Sequence, residues 1–225
     1  ERPMNDFIQN LASSSYLLIA GGYLLGGIPF GLLIGKAHGV DIRERGSGNI
    51  GATNLGRALG KRWAFAAFLL DFAKGLVPVI VAGQLLDEAS EREVVQILAG
   101  AASILGHTFS IYLGFKGGKG VATYLGVLLA AAPLFVLVFA VVWLGMAKLF
   151  RYSSLAALTA AVAVPASLWI AGLDEVAALF TAMSVITILK HHTNIQRLLS
   201  GTESRIGDKG KAKEDAAVAP GGDGI

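Results

Sequence analysis

Long uncharged apolar segments dominate the chain and leave few folds open to it. The first of them, residues 15–35, contains 21 residues and no charged side chain. As an α-helix it would be about 31 Å long, which is enough to cross the hydrocarbon core of a bilayer. Only 16% of all residues are charged, whereas a soluble domain usually carries about 25%. The sequence therefore predicts an all-α integral membrane protein.

Six further apolar segments follow, and the middle of the chain is ambiguous. Residues 121–150 would form one helix of about 45 Å, and Pro133 near its middle can end or kink a helix. Two short helices instead bring the basic loop before residue 121 and the basic C-terminal segment to the same side, as Lys and Arg prefer the cytoplasmic side. We therefore predict seven transmembrane helices, two of them short, over residues 15–35, 63–86, 94–114, 121–132, 133–150, 153–172 and 176–189.

The composition also indicates how the chain is divided. Residues 1–206 are expected to form a single membrane domain. Residues 207–225 are polar and glycine-rich with no periodic apolar pattern, so we expect a disordered tail. The chain has no cysteine, which excludes disulfides and thiol nucleophiles.

A polar, glycine-rich segment at residues 46–57 follows the first predicted span. It matches the dinucleotide-binding pattern G-x-G-x-x-G, but that pattern needs a preceding buried strand in a βαβ unit, and this segment lies between membrane spans. Its hydroxyls, amides and arginine suit a polyhydroxy or phosphorylated ligand. The structural alternative is a glycine turn followed by a capped helix. The candidate ligand-binding residues are Ser47, Asn49, Thr53, Asn54 and Arg57.

A second polar segment, Phe-Lys-Gly-Gly-Lys-Gly at residues 115–120, separates two apolar segments. Glycines let consecutive N–H groups turn towards one point and lysines add positive charge, so the loop is typical of an anion site. It is not a Walker A loop, because Lys119 is followed by Gly120 and not by Ser or Thr. The structural alternative is a positively charged anchor with flexible glycines. His107 lies near the end of the preceding span, where a lone histidine is more often structural than catalytic.

The third polar segment, residues 190–203, contains two adjacent histidines. Neighbouring histidines on a helix point in different directions and no third ligand clusters with them, so we expect no metal site. Within the second predicted span, Asp71 and Lys74 lie three residues apart in an apolar run. We expect them to form a mutual ion pair that shapes the wall of a site.

Taken in order, the three segments resemble the bacterial acyl-phosphate-dependent glycerol-3-phosphate acyltransferases, the PlsY family. That family shows GSGNPGATN with a following Arg, then GHxFxxxxxFKGGKG, then RHxxNIxRLLxGxE. This chain reads GSGNIGATN with Arg57, then GHTFSIYLGFKGGKG, then KHHTNIQRLLSGTE. The departures from the family pattern are Ile50, Ser110, Lys190 and His192, and none of them removes an expected catalytic group.

The resemblance implies a multi-pass enzyme of the bacterial inner (plasma) membrane with its site facing the cytoplasm. It implies acyl transfer from acyl phosphate to the 1-hydroxyl of glycerol 3-phosphate, giving 1-acylglycerol 3-phosphate (lysophosphatidic acid) and phosphate, as the first acylation step of phospholipid synthesis. Membrane lipid is a further expected partner, and neither a cofactor nor nucleic acid is expected. The residues implied in substrate binding are Ser47, Asn49, Thr53, Asn54, Arg57, His107, Lys116, Gly117, Gly118, Lys119, Gly120, His191, Asn194 and Glu203.

The expected catalytic residues are Lys119, His191 and Ser47. An acyl phosphate is already activated, so positioning two substrates and stabilising oxyanion charge could suffice for direct, non-covalent transfer. Lys119 is expected to stabilise charge, Ser47 to bind substrate, and His191 is the first candidate for a general base, if one exists. The alternatives are a transporter of a phosphorylated metabolite and a non-catalytic membrane subunit that binds anionic lipid.

Overall fold

Residues 2–207 are described by a computed structural model, and they form α-helices with no β-strand among them. The predicted all-helical fold is confirmed. The helices are α1 (Arg2–Gly27), α2 (Phe30–Ala37), α3 (Ala52–Leu59), α4 (Lys61–Leu85), α5 (Ala89–Thr108), α6 (Val121–Ala131), α7 (Phe135–Phe150), α8 (Ser153–Ile170), α9 (Asp174–Lys190) and α10 (His192–Leu199), with short 3-10 turns at Ile42–Glu44 and Ile111–Leu113.

Some of these helices are long and apolar enough to cross a bilayer. Four stretches of the described chain meet both requirements, and α9 together with α10 forms a fifth that is bent by 59°. Helices α6 and α7 are apolar but shorter. The count of seven transmembrane helices therefore stays a prediction. The four stretches are Ser14–Ala37, Lys61–Leu85, Glu91–Leu113 and Ser153–Ile170.

The ambiguous central segment forms two helices. Helix α6 ends at Ala131 and α7 begins at Phe135, with Pro133 between them, where the missing N–H and the pyrrolidine ring interrupt the helical ladder. The prediction of two helices is confirmed, although the number of membrane crossings they make is not. Helix α6 has 11 residues and spans only about 16 Å, and neighbouring helices bury its Tyr124, Val127 and Leu128.

Close contact between helix backbones fixes α6 against α4. A Cβ at Gly126 would collide with the carbonyl oxygen of Phe72, and one at Gly75 would collide with the carbonyl oxygen of Thr123. Small residues that let helix backbones approach closely are typical of membrane helix packing. This contact holds the beginning of α6 beside the middle of α4. Residues 208–225, which hold almost all of the predicted tail, lie outside the described residues.

Candidate active site

One cavity brings the three polar segments together. Its volume is about 670 Å³, and it is bounded by parts of α3, α4, α5, α6, α7, α8 and α10. Most of its polar wall residues lie in loops and near helix ends, and we call this part the polar end. Most of its apolar wall residues lie within α4, α6, α7 and α8, and we call this part the apolar end. Most of the residues that the sequence singled out lie in its wall: Ser47, Asn49, Thr53, Asn54, Arg57, His107, Lys119, Gly120, His191, Asn194 and Glu203.

Asn54 organises the loop at the polar end of the cavity. Its Nδ2 donates to the carbonyl oxygens of Ile42 at 2.7 Å, Asn49 at 2.9 Å and Arg45 at 3.0 Å, and its Oδ1 accepts the N–H of Ser47 at 3.0 Å. These bonds occupy both donors of the amide. Asn54, which we expected to bind substrate, lies in the cavity wall, where its side chain bonds to the loop and its Oδ1 holds the N–H of Ser47.

The N-termini of two helices, α3 and α6, face the cavity. Gly51, Ala52 and Thr53 of the first and Gly120, Val121 and Ala122 of the second all line the wall. Neither helix has a side-chain cap or an acidic residue in its first turn. The free N–H groups of a helix N-terminus carry partial positive charge and favour anions. The N–H groups of two helices therefore favour the binding of negatively charged groups at the polar end.

A chain of polar contacts crosses the cavity wall between α6 and α10. Lys119 Nζ donates to Asn194 Oδ1, and Asn194 Nδ2 donates to Glu203 Oε1 at 2.7 Å. The same carboxylate accepts Ser154 Oγ at 2.7 Å and Arg197 Nε at 2.7 Å. Glu203 thus fixes the orientation of the Asn194 amide, and that amide fixes the Lys119 ammonium.

The two charged ends of this chain have shifted pKa values. Burial lowers the pKa of Lys119 to about 8, against the opposing effect of Glu203. Burial tends to raise the pKa of Glu203, but the hydrogen bonds from Ser154, Arg197 and Asn194 outweigh it and leave this pKa lowered. At neutral pH, Lys119 is mostly protonated and Glu203 is ionised.

His191 lies in the cavity wall at the bend between α9 and α10. Its Nδ1 is 2.7 Å from the carbonyl oxygen of Thr187. Because a carbonyl oxygen only accepts, Nδ1 carries the proton and Nε2 carries the lone pair. This tautomer gives His191 the arrangement of a candidate base.

The glycine-lysine loop contributes differently from our expectation. The N–H of Gly118 donates to the carbonyl oxygen of His107 at 3.0 Å, and the N–H of Gly117 donates to that of Thr108 at 3.2 Å. Lys116 is exposed, and none of Lys116, Gly117 and Gly118 lines the cavity. The two glycine N–H groups therefore hold the loop on α5 instead of cradling an anion, and Lys119 and Gly120 are the loop residues that face the cavity.

The expected ion pair between Asp71 and Lys74 is confirmed, with Asp71 Oδ1 2.8 Å from Lys74 Nζ. Asp71 lines the cavity beside His107, whose Nδ1 is 3.9 Å from Asp71 Oδ1. A Cβ at Gly118 would collide with the imidazole of His107. The glycine is therefore needed so that His107 can pack beneath the loop.

Several wall residues were not predicted from the sequence. Ser154 is the clearest case, because its hydroxyl is one of the donors to Glu203. Its only sequence signal is its place at the start of an apolar segment, on the same predicted side as the three polar segments. Among the side chains that the structure describes, no three of His, Asp or Glu are grouped so that they could hold a metal ion. The unpredicted apolar wall consists of Ala64, Phe65, Phe68, Leu125, Val136, Phe139, Ala140, Trp143, Leu144 and Ala157.

Known proteins resemble the chain over most of its length. Relatives named glycerol-3-phosphate acyltransferase include one from Mesorhizobium japonicum, 54% identical over 86% of this chain and 97% of the relative. Another, from Rhizobium meliloti, is 52% identical over 88% of this chain and 95% of the relative.

Two crystal structures of PlsY, an integral membrane glycerol 3-phosphate acyltransferase, have the same fold. The glycerol 3-phosphate form matches with a TM-score of 0.81 and 44% identity, over 86% of this chain and 96% of that one. The lysophosphatidic acid form matches with a TM-score of 0.79 and 42% identity, over 89% of this chain and 99% of that one. Residues 16–201 match the family model described as glycerol-3-phosphate acyltransferase. The resemblance found in the sequence is therefore confirmed: the chain is an integral membrane protein and belongs to the glycerol-3-phosphate acyltransferase family.

Proposed function

We propose that the protein transfers a fatty acyl group from acyl phosphate to the 1-hydroxyl of glycerol 3-phosphate. The products are 1-acylglycerol 3-phosphate (lysophosphatidic acid) and phosphate, and the reaction is the first acylation step of bacterial phospholipid synthesis. The observation that carries the proposal is the division of the cavity into a cationic polar end and an apolar end. Both substrates carry a phosphate, and the acyl donor also carries a long apolar chain.

The polar end has enough positive charge for the two phosphates. Arg57 presents a guanidinium, which forks onto phosphate oxygens, and Lys119 presents an ammonium across the same cavity. The N-termini of α3 and α6 add N–H groups that suit anions. Ser47 and Thr53 offer hydroxyls to the glycerol moiety. We assign glycerol 3-phosphate to the α3 side and the donor phosphate to Lys119 and the start of α6.

The apolar end suits a fatty acyl chain. Its wall residues come mainly from α4 and α7, with Leu125 from α6 and Ala157 from α8. Phe65 of α4 and Leu144 of α7 line the cavity and are also 62% and 61% exposed on the outer surface. Large exposed apolar residues on a membrane helix face lipid, so the apolar end opens towards the bilayer. An acyl donor dissolved in the membrane can therefore reach the polar end with its chain still in lipid.

The chemistry is direct acyl transfer. The 1-hydroxyl oxygen attacks the carbonyl carbon, the bond from that carbon to the phosphate oxygen breaks, and phosphate leaves with the electron pair. The hydroxyl proton passes to His191 Nε2 or to the departing phosphate. Lys119 and the N–H groups of α6 stabilise the developing negative charge. No protein nucleophile is required, because the mixed anhydride is already activated, and Ser47 serves to bind the hydroxyls of glycerol 3-phosphate.

The test is an assay with purified protein, radiolabelled glycerol 3-phosphate and synthetic acyl phosphate. We expect labelled lysophosphatidic acid and no product when acyl-CoA replaces acyl phosphate. After incubation with acyl phosphate alone, intact mass spectrometry should find the protein unmodified. An acyl adduct that is discharged by added glycerol 3-phosphate would overturn direct transfer. Accumulation of unacylated glycerol 3-phosphate inside proteoliposomes without an acyl donor would instead support a transporter.

We further propose that the site faces the cytoplasm of the bacterial inner membrane and that residues 1–206 carry the activity without residues 207–225. The support is the charge distribution. Lys and Arg favour the cytoplasmic side, and the polar segments around the cavity are basic, whereas residues 87–93, which precede and begin α5, are mostly acidic.

Single cysteines can test this orientation, because the chain contains none. Ala89 and Ser200 are both exposed, and they lie at opposite ends of the helices: Ala89 begins α5, whereas Ser200 follows α10 beside the cavity. An impermeant thiol reagent should label Ala89→Cys in spheroplasts and should label Ser200→Cys only after permeabilisation. The reverse pattern would contradict the proposed orientation.

A further inference from the structure

The first apolar segment is interrupted where α1 passes into α2. Helix α1 ends at Gly27 and α2 begins at Phe30, and Pro29 between them has no N–H to donate. Backbone carbonyls released by such a break need partners inside a membrane. The carbonyl oxygen of Gly27 accepts Ser110 Oγ at 2.6 Å, and that of Ile28 accepts Lys74 Nζ at 2.8 Å. Two side chains from other segments thus hold the break.

Lys74 lies between this break and α4. Its ammonium contacts the carbonyl oxygen of Ile28 and Asp71 Oδ1, both at 2.8 Å, and it lies 5.7 Å from the ring centroid of Phe30, the first residue of α2. The side chains of Lys74 and Asp71 are only 1% and 4% exposed. Lys74 itself does not line the cavity, whereas Asp71 does.

Each partner of Lys74 leads to one wall of the polar end. On the break side, α2 supports the loop that carries Ser47: a Cβ at Gly31 would collide with the carbonyl oxygen of Ile50. On the other side, Asp71 lies beside His107, and the carbonyl oxygen of His107 receives the N–H of Gly118 next to Lys119. The glycerol 3-phosphate wall and the Lys119 wall therefore meet at one buried ion pair.

From this arrangement we infer that Lys74, together with Asp71, is a positioning residue that sets the distance between the two substrate walls. Net stabilisation is a poor explanation for the pair, because buried ion pairs often contribute no more than apolar residues of similar volume. A fixed distance between two bound substrates is a better explanation, because small misplacements of the reacting groups strongly lower the rate of a bimolecular transfer. The inference rests on the proposed function, since it assumes that glycerol 3-phosphate and acyl phosphate bind these two walls.

Neutral replacement of the pair tests the inference. D71N/K74M removes both charges and the donor to Ile28, so it leaves no uncompensated buried charge. D71N/K74Q also removes both charges, but its two amide side chains can hydrogen-bond to each other on α4. The glutamine side chain is one bond too short to replace the contact that Lys74 makes with the carbonyl oxygen of Ile28. Tyr124→Phe is the matched control, because it removes another buried contact between helices, Tyr124 Oη to Ser184 Oγ at 3.1 Å, away from the cavity wall.

The measurements are the thermal midpoint in detergent, kcat, and the KM for each substrate. We expect both neutral pairs to stay folded, with kcat lowered about tenfold or more and each KM changed by less than about threefold. The ion pair has no net charge, so its neutral replacement does not alter the net charge near the cavity, and a fall in kcat reports misplacement. Tyr124→Phe should leave kcat and both KM values unchanged.

An unchanged kcat in the neutral pairs would overturn the inference. So would a fall in kcat that Tyr124→Phe reproduces, or loss of folding in both neutral pairs, since either would indicate a purely structural role. An inactive wild-type protein under the same assay would contradict the proposed function instead, so the two failures are distinguishable.

Discussion

Lys119→Met is expected to lower kcat/KM for acyl transfer by about 10²–10³-fold, because loss of one preorganised electrostatic group at a reacting centre typically costs that much. The Lys119 ammonium faces the cavity and is aligned by Asn194, which Glu203 orients in turn. Methionine keeps similar length and volume without charge or donors. The fall should be measured as the steady-state rate at saturating glycerol 3-phosphate with acyl phosphate below its KM, and the thermal midpoint should stay close to that of the wild type.

Lys116→Met is the matched control. Lys116 lies three residues earlier in the same loop and has the same charge, but it is exposed and outside the cavity wall. We expect its kcat/KM to stay within about twofold, since surface charges away from a site contribute little. Equal losses in the two variants would mean that the loop acts through its overall charge, and the assignment of Lys119 would fail.

The dependence of kcat/KM on pH should also reveal the contribution of the Lys119 ammonium. Burial lowers the pKa of Lys119 to about 8, so the ammonium is present below that pH and is lost as pH rises through it. The value of kcat/KM, which reports the free enzyme, should therefore fall above pH 8. Lys119→Arg keeps its charge because a guanidinium does not deprotonate in this range. Its activity should be lower but without the alkaline fall.

The sequence predicted the helical fold and most of the polar residues of the cavity wall, because both follow from local patterns. Long apolar stretches mark the predicted spans, and Pro133 marks the break between α6 and α7. The three polar segments share their predicted side of the membrane, which is why residues far apart in sequence, such as Ser47 and Asn194, were expected in one site.

The roles of individual groups were harder to predict, because hydrogen-bond partners depend on tertiary contacts. Asn54 looks like a ligand-binding amide, yet loop carbonyls use both of its donors. Gly117 and Gly118 have the composition of an anion cradle, but their N–H groups bond to the end of α5. The apolar wall also gave no signal, since Phe139 in a membrane helix is indistinguishable in sequence from a lipid-facing residue.

Glu203→Gln is expected to have the second-largest effect, on stability as well as on activity. The carboxylate accepts from Ser154, Asn194 and Arg197 at 2.7 Å each. An amide offers one acceptor oxygen and turns an NH₂ towards the remaining donors. Hydrogen bonds to a charged group are worth about 1.5–3 kcal/mol each, so we expect a loss of about 2–3 kcal/mol, measured as a lower thermal midpoint. Asn194 should lose its orientation, and kcat/KM should fall at least tenfold as the alignment of Lys119 is lost.

Low pH should destabilise the wild type in the same way as Glu203→Gln, because it protonates the Glu203 carboxylate. The pKa of Glu203 is lowered in the folded protein, so its contribution to stability is complete above the unfolded value of 4.5 and is lost as pH falls through the lower folded value. The difference in thermal midpoint between the wild type and Glu203→Gln should therefore shrink below pH 4.5.

Glu91→Gln is the matched control for Glu203→Gln. Glu91 accepts Ser15 Oγ at 2.6 Å, but it lies near the start of α5, at the opposite end of that helix from His107 and the cavity. Like Glu203→Gln, this substitution removes a carboxylate that accepts a hydrogen bond from a serine hydroxyl. The two variants therefore differ mainly in their distance from the cavity. We expect a modest change in stability and unchanged kinetics. A similar fall in activity in both variants would mean that Glu203 acts on the fold as a whole, not through Asn194 and Lys119.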